Sequence, residues 1–152
     1  MKPSLSLRQF LPYRCNNLGE RISTSLSRIY VDRFGISISE WRILATLAEY
    51  GQLQARQISQ QTHMDKVRVS RAVASLQARG LLSRQTCEHD SRAANISLTA
   101  QGTTLFGEIA PQALAWEQEL LQPLDKAQRE NLFLLLDKLE SQLDVLAQRS
   151  ST

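Results

Sequence analysis

The chain has 152 residues, which is enough for one domain with a substantial hydrophobic core. Apolar residues make up 42% and charged residues 22%, as in ordinary globular proteins. No apolar run approaches the roughly 20 residues that a membrane-spanning helix needs, and the N-terminus lacks the apolar core of a signal peptide. We therefore expect a cytoplasmic protein with no membrane partner.

The net charge of +3 conceals an uneven distribution. Residues 1–51 carry seven basic against four acidic residues, 52–100 seven against three, and 101–152 four against eight. A basic centre beside an acidic C-terminal third predicts one face directed at phosphates, since a binder that used its whole surface would be basic throughout.

The first segment, residues 5–34, has apolar residues at helical spacing and predicts a helix. Pro12 is expected to bend or restart it, because proline lacks the N–H and clashes with the preceding turn. Gly35 is expected to end it in the left-handed conformation.

Three helices are predicted next, and a tight turn joins the last two. Ser37 and Glu40 form the pattern of a capping box, which predicts the start of a helix. A short helix over residues 55–61 is followed by Asp65, a predicted N-cap, and by a helix over 66–79.

The pattern changes after Gly80. Residues 81–85 and 95–98 predict two strands of a hairpin, with a loop over 87–94. Thr99 is expected to cap a long helical region that Pro111 and Pro123 interrupt. Asp125 restarts it, and leucines at helical spacing follow over 132–146.

This order of elements predicts a mainly α protein with a small β-hairpin wing, a winged helix-turn-helix. The helix over 66–79 has an apolar face of Val69, Val73 and Leu76, with polar and basic residues opposite. Such a helix fits the DNA major groove, where arginine can donate two hydrogen bonds to guanine. At the predicted wing tip Asp90 can hold Arg92 extended, and an extended arginine fits the minor groove.

These residues resemble the MarR family of bacterial regulators. The resemblance rests on Met64-Asp65-Lys66-Val67-Arg68-Val69-Ser70-Arg71, on Gly80-Leu81-Leu82, and above all on Asp90-x-Arg92-x5-Leu98-Thr99-x2-Gly102. It implies a homodimer on double-stranded DNA with a palindromic operator, usually a repressor that a small ligand releases. Ser91 and Asn95 stand where the family often has basic residues, so the wing is expected to depend on Arg92.

The resemblance implies one MarR-like domain over 1–152. Dimerisation helices are expected over about 5–34 and 100–148, and the DNA-binding lobe over about 37–99. The predicted DNA contacts are Lys66, Val67, Arg68, Ser70, Arg71, Arg84, Asp90 and Arg92.

The resemblance also implies a ligand pocket between the dimerisation helices and the DNA-binding lobe. Arginines beside aromatic residues suit an aromatic carboxylate, because the guanidinium is a charged fork next to stacking surfaces. The predicted pocket residues are Tyr13, Arg14, Arg21, Tyr30, Trp41 and Arg42.

Two alternatives remain open. One is a redox-sensing regulator that uses Cys15, although we expect that cysteine to be buried and inert. The other, from a different class, is a helical protein-interaction module that does not bind DNA. Because the sequence has no glycine-rich phosphate loop, catalytic triad pattern or cysteine–histidine metal spacing, we expect no enzyme, cofactor or metal.

Overall fold

The computed structural model describes residues 4–87 and 90–151, and for residues 87 and 90–92 the backbone alone. A 3₁₀ turn at Leu7–Gln9 precedes the helices and strands. In chain order these are α1 Leu11–Phe34, α2 Ile38–Tyr50, β1 Leu53–Gln54, α3 Ala55–Thr62, α4 Lys66–Ala78, β2 Leu82–Cys87, β3 Asp90–Leu98, α5 Ala100–Leu120 and α6 Lys126–Arg149. The prediction of a mainly helical fold with a β wing is confirmed.

Helix α1 begins afresh after the 3₁₀ turn, with Pro12 in its first turn. Proline is tolerated there because its missing N–H would have no partner within the helix. Gly35 ends the helix at φ 65°, and its N–H donates to the carbonyl of Val31 at 3.0 Å. Both predictions for this helix are confirmed.

The predicted caps are present at the starts of the later helices. The Ser37 hydroxyl accepts from the Glu40 N–H at 3.1 Å, and the Glu40 carboxylate accepts from the Ser37 N–H at 3.2 Å. Asp65 accepts from the Arg68 N–H at 2.8 Å. Each cap satisfies backbone donors that have no partner within their own helix, so these starts are fixed by local sequence.

The sheet is larger than the sequence predicts. Strand β3 is central and pairs antiparallel with β2 and with β1, a two-residue strand that the sequence analysis missed. The predicted loop over 87–94 is wrong in extent, because β3 already begins at Asp90. The hydrogen bonds between paired strands join backbone groups. A projecting hairpin can therefore form without alternating apolar and polar side chains, which was the pattern used to predict its strands.

Helix α5 runs continuously through Pro111, so the predicted interruption there is wrong. A proline inside a helix removes one backbone hydrogen bond and costs about 3 kcal/mol. Ile109, two residues earlier, is fully buried in the core, and its packing holds this part of the helix in place. The predicted break at Pro123 is confirmed, since it lies between α5 and α6.

The wing, α4 and α5 meet at a compact junction. The Thr99 hydroxyl donates to the Gly80 carbonyl at 2.7 Å and accepts from the Gly102 N–H at 3.0 Å. The Thr99 N–H donates to the Leu81 carbonyl at 3.1 Å. A Cβ on Gly102 would collide with that same carbonyl oxygen, so this position requires glycine. The junction gives a physical reason for the Leu-Thr-x-x-Gly pattern.

The chain divides into two compact units, up to Ala113 and from Leu114 onward. The first holds the core, whose fully buried side chains include Ile36, Ile43, Leu44, Ile58, Leu76 and Ile96. In the second, α6 has no buried residue, and its leucines are exposed. Among the described residues, every helix is too short or too polar to cross a membrane.

Candidate nucleic-acid interface

Helix α4 has two sharply different faces. Val69, Ala72, Val73 and Leu76 are at most 6% exposed and pack in the core. The predicted DNA contacts on this helix all lie on the exposed face: Lys66, Val67, Arg68, Ser70 and Arg71. The apolar face therefore fixes α4 on the domain while the basic face is free to meet a polyanion.

The N-terminal half of α4 is tied to the start of α2. The Arg68 guanidinium donates to the Ser39 hydroxyl at 2.9 Å. Further along α4 the Ser75 hydroxyl donates to the Glu40 carboxylate at 3.3 Å, and Glu40 is only 8% exposed. This buried carboxylate thus joins the cap of α2 to α4, and it fixes how α4 lies across α2.

A hollow of about 280 Å³ lies between α3, α4 and the sheet. Its floor is apolar, with Val69, Val73 and Ile96, and its rim is polar and basic, with Arg56, Lys66, Ser70 and Arg84. Three predicted DNA contacts are brought together there. Arg56 was not among the predicted contacts, although its place in the first turn of α3 could have indicated it.

The wing residues reach the edge of what the structure describes. Arg84 is exposed on β2, opposite Ile96 of β3. The side chains of Asp90 and Arg92 lie outside the described residues, and so do residues 88 and 89. The predicted pairing of Asp90 with Arg92 therefore stays a prediction.

The predicted ligand residues are divided among three places. Tyr13, Arg14 and Arg21 line a hollow of about 380 Å³ on α1 together with Arg8. The Arg14 guanidinium donates to the Arg8 carbonyl at 2.9 Å, which fixes it beside the 3₁₀ turn. This hollow has the arginines and the aromatic ring that an aromatic carboxylate would need, and Glu20 is the one acidic residue among the described residues of its lining.

Arg42 lies in a second hollow of about 400 Å³, lined by residues of α1 and α2 and by Arg68 of α4, and Glu20 lines both hollows. It donates to the Ser23 hydroxyl at 3.1 Å. Arg68 is thus next to both the candidate DNA surface and this hollow, a proximity that sequence spacing does not reveal.

Tyr30 and Trp41 belong to an aromatic stack that joins α1, α2 and α5. The ring centroids of Tyr30 and Trp41 are 5.3 Å apart, and those of Trp41 and Phe106 are 5.6 Å apart. Burial raises the pKa of the Tyr30 phenol, and the positive charge of Arg42 opposes this effect. Tyr30 is 1% exposed, so it contributes to packing in this structure.

Cys15 is exposed on α1, so the expectation that it is buried is wrong. It lies in the first half of α1, and every residue from Leu11 to Arg21 is exposed. Helical periodicity marks one face of α1 as apolar, but it does not show which turns the core reaches. The exposed thiol meets the access requirement of the redox alternative.

A helix-turn-helix followed by a paired hairpin defines the class of winged-helix proteins. Residues 34–93 match the profile described as the MarR family. The predicted resemblance to the MarR family of transcription regulators is confirmed by this match and by the similarity to individual members.

Individual relatives show the same resemblance. The chain is 26% identical over 125 residues to the HTH-type transcriptional regulator PecS of Dickeya dadantii (strain 3937), covering 80% of this chain and 75% of PecS. A MarR/EmrR family regulator from Acinetobacter sp. ADP1 has a TM-score of 0.83 at 28% identity, covering 92% of this chain and 99% of that one. NadR in complex with 4-hydroxyphenylacetate has a TM-score of 0.76 at 25% identity, covering 91% and 96%.

Proposed function

We propose that the protein is a ligand-responsive DNA-binding regulator that acts in the cytoplasm and binds a palindromic operator as a homodimer. The observation that carries this proposal is the exposed basic face of α4, held on the domain by a buried apolar face. A helix of this kind can enter the major groove with its N-terminal residues toward the bases. Arg84 and Arg56 add positive charge on neighbouring elements.

Selection of duplexes from a random library tests the proposal. The full-length chain should enrich an inverted repeat, because the two subunits of a symmetric dimer present the same helix to both half-sites. Enrichment of a sequence without twofold symmetry would contradict the homodimer, and recovery of no preferred sequence would contradict specific recognition.

Arg68→Ala should relax base preference, because this arginine is on the exposed face of α4 near its N-terminus. We expect a loss of about 10- to 100-fold on the selected duplex, the cost of about 1–3 kcal/mol for a bidentate base contact, and a much smaller loss on unrelated DNA. Competition titrations with both duplexes measure the ratio.

Ser39→Ala is the matched control for this variant. It removes the same hydrogen bond that Arg68 makes in the structure but leaves the arginine in place. Its base preference should equal that of the unaltered protein. Equal losses on all sequences for Arg68→Ala would show a phosphate contact and refute base reading.

The proposed homodimer is supported by unburied apolar surface near both ends of the chain. On α6 the exposed apolar residues include Leu132, Leu135, Leu136, Leu139, Leu143 and Leu146. Leu7, Leu11 and Leu18 are exposed in the N-terminal segment. Apolar surface of this extent marks an interaction site, and a second copy of the chain would bury it across a twofold axis.

The proposed effector is a small aromatic carboxylate. The hollow with Tyr13, Arg14 and Arg21 supports this class, as it holds an aromatic ring beside arginine side chains. NadR, a relative at 25% identity, is complexed with 4-hydroxyphenylacetate, a compound of the same class. A ligand that binds the folded chain better than the unfolded one will stabilise it.

4-Hydroxyphenylacetate is therefore the first probe for a thermal-shift titration. At about 100 times its dissociation constant it should stabilise the protein by about 2.7 kcal/mol. Arg21→Ala should abolish the shift, whereas Arg28→Ala, two helical turns further along α1, should retain it. An unchanged shift in Arg21→Ala would place the ligand elsewhere.

A further inference from the structure

The C-terminal end of α4 is joined to the C-terminal end of α1 by one side chain. Arg79 follows the last residue of α4, and its guanidinium donates through Nη1 to the Gly35 carbonyl at 3.0 Å and through Nη2 to the Phe34 carbonyl at 2.9 Å. The Arg79 backbone is itself fixed, because its N–H donates to the Ser75 carbonyl at 3.2 Å. Because both acceptors are backbone carbonyls, the Arg79 side chain is the only side chain in this connection.

The acceptors are the carbonyls of the last residue of α1 and of its C-cap, Gly35. These groups have no partner within α1, since the chain turns away at Gly35 in the left-handed conformation. A cation there also interacts favourably with the helix dipole. A planar guanidinium that uses two nitrogens on two successive carbonyls fixes direction as well as distance.

Arg79 adds a direct connection between two helices, α1 and α4, that both contact α2. Both α1 and α4 pack on α2, and Arg79 joins their ends directly. The angle between α1 and α4 is therefore restrained at two places, by packing on α2 and by this arginine.

We infer that Arg79 is a positioning residue that sets the distance between the two α4 helices of the dimer. This inference rests on the proposed function, in which α1 belongs to the dimerisation part and α4 enters the major groove. Any change of the α1–α4 angle in each subunit would then change the distance between the two α4 helices, and hence the half-site spacing that the dimer accepts.

The test uses the full-length protein and the inverted repeat that it selects from random duplexes, with one or two base pairs inserted or deleted between the half-sites. One base pair moves a half-site by about 3.4 Å along and about 34° around the duplex, so the unaltered dimer should lose at least about 10-fold in affinity. Arg79→Ala should bind the selected inverted repeat more weakly than the unaltered protein does. Its affinity for the duplexes with altered spacing should be less than about threefold below its own affinity for that repeat.

Two further variants make the comparison specific. Gln77→Ala shortens an exposed side chain of the same turn. Its spacing profile, the dependence of affinity on half-site spacing, should be as narrow as that of the unaltered protein. Arg79→Lys keeps the charge but lacks the two-nitrogen fork, so its profile should broaden as well, and it serves if Arg79→Ala does not fold. Circular dichroism and sedimentation verify fold and dimer for each variant.

The salt dependence separates positioning from direct DNA contact. A broadened profile with an unchanged salt slope supports the inference. A uniform loss at every spacing overturns it: a slope reduced by about 0.9 for each arginine removed would show a phosphate contact, and an unchanged slope a general loss of stability. A profile as narrow as that of the unaltered protein also overturns it. If the unaltered chain selects no inverted repeat, the proposed function itself fails.

Discussion

Replacing Gly102 with alanine is expected to be strongly destabilising. The new Cβ would collide with the backbone carbonyl oxygen of Leu81, which already accepts the Thr99 N–H. Because a backbone group cannot rotate away as a side chain can, α5 must move relative to the junction with the wing. We expect a cost of about 3 kcal/mol or more, which for a protein of this size lowers the melting temperature by about 6–12 °C.

Gly107→Ala is the matched control on the same helix. A Cβ at this exposed position meets no atom within 4 Å, and alanine favours a helix interior over glycine. This variant should be unchanged or more stable by up to about 1 kcal/mol. If thermal unfolding gave both variants the same melting temperature, close packing at Gly102 would not be the reason for the glycine.

Placing two glutamates on α6 should dissociate the proposed dimer. Leu139 and Leu143 are 42% and 63% exposed in the single chain and lie one turn apart on the leucine-rich face. In a symmetric dimer Leu139→Glu/Leu143→Glu loses four leucine side chains, each worth about 1.5–3 kcal/mol when buried, and adds four like charges. We expect the dissociation constant to rise by roughly 1000-fold or more.

Sedimentation velocity measures this change directly. Gln142→Glu adds one glutamate per chain beside that face, half the charge that the double variant adds, without removing an apolar side chain, so it should stay dimeric at the concentration at which the double variant is monomeric. A double variant that sediments as a dimer would refute the α6 interface, and a monomeric Gln142→Glu variant would show that charge alone causes the dissociation.

The helix starts and the turns were predictable because they depend on near neighbours. A cap such as Ser37 with Glu40, or Asp65 before α4, is encoded within four residues. Gly35 has a φ of 65°, as its position after α1 predicted, and Gly80, after α4, has a φ of 75°. Tertiary packing decides the features that were mispredicted: Ile109 holds α5 through Pro111, and backbone pairing extends β3 to Asp90.

The sequence predicted which residues share a face of α4, but it did not predict the hydrogen bonds that join α4 to other elements. Helical spacing places Arg68 and Arg71 opposite Val69 and Val73, as the structure shows. The contacts of Arg68 with Ser39 and of Arg79 with Gly35 join residues 29 and 44 positions apart. No local pattern encodes such pairs, and for the same reason the predicted ligand residues separated into two hollows and an aromatic stack.

A salt titration of duplex binding tests the central claim most directly. The exposed basic residues of two α4 helices and two wings should make at least about six phosphate contacts, so affinity should fall by about 1000-fold or more between about 50 and 200 mM salt. At a fixed salt concentration, binding to the selected inverted repeat should exceed binding to unrelated DNA. Absence of duplex binding, or an affinity that salt does not change, would contradict a DNA-binding regulator and favour a protein-interaction module.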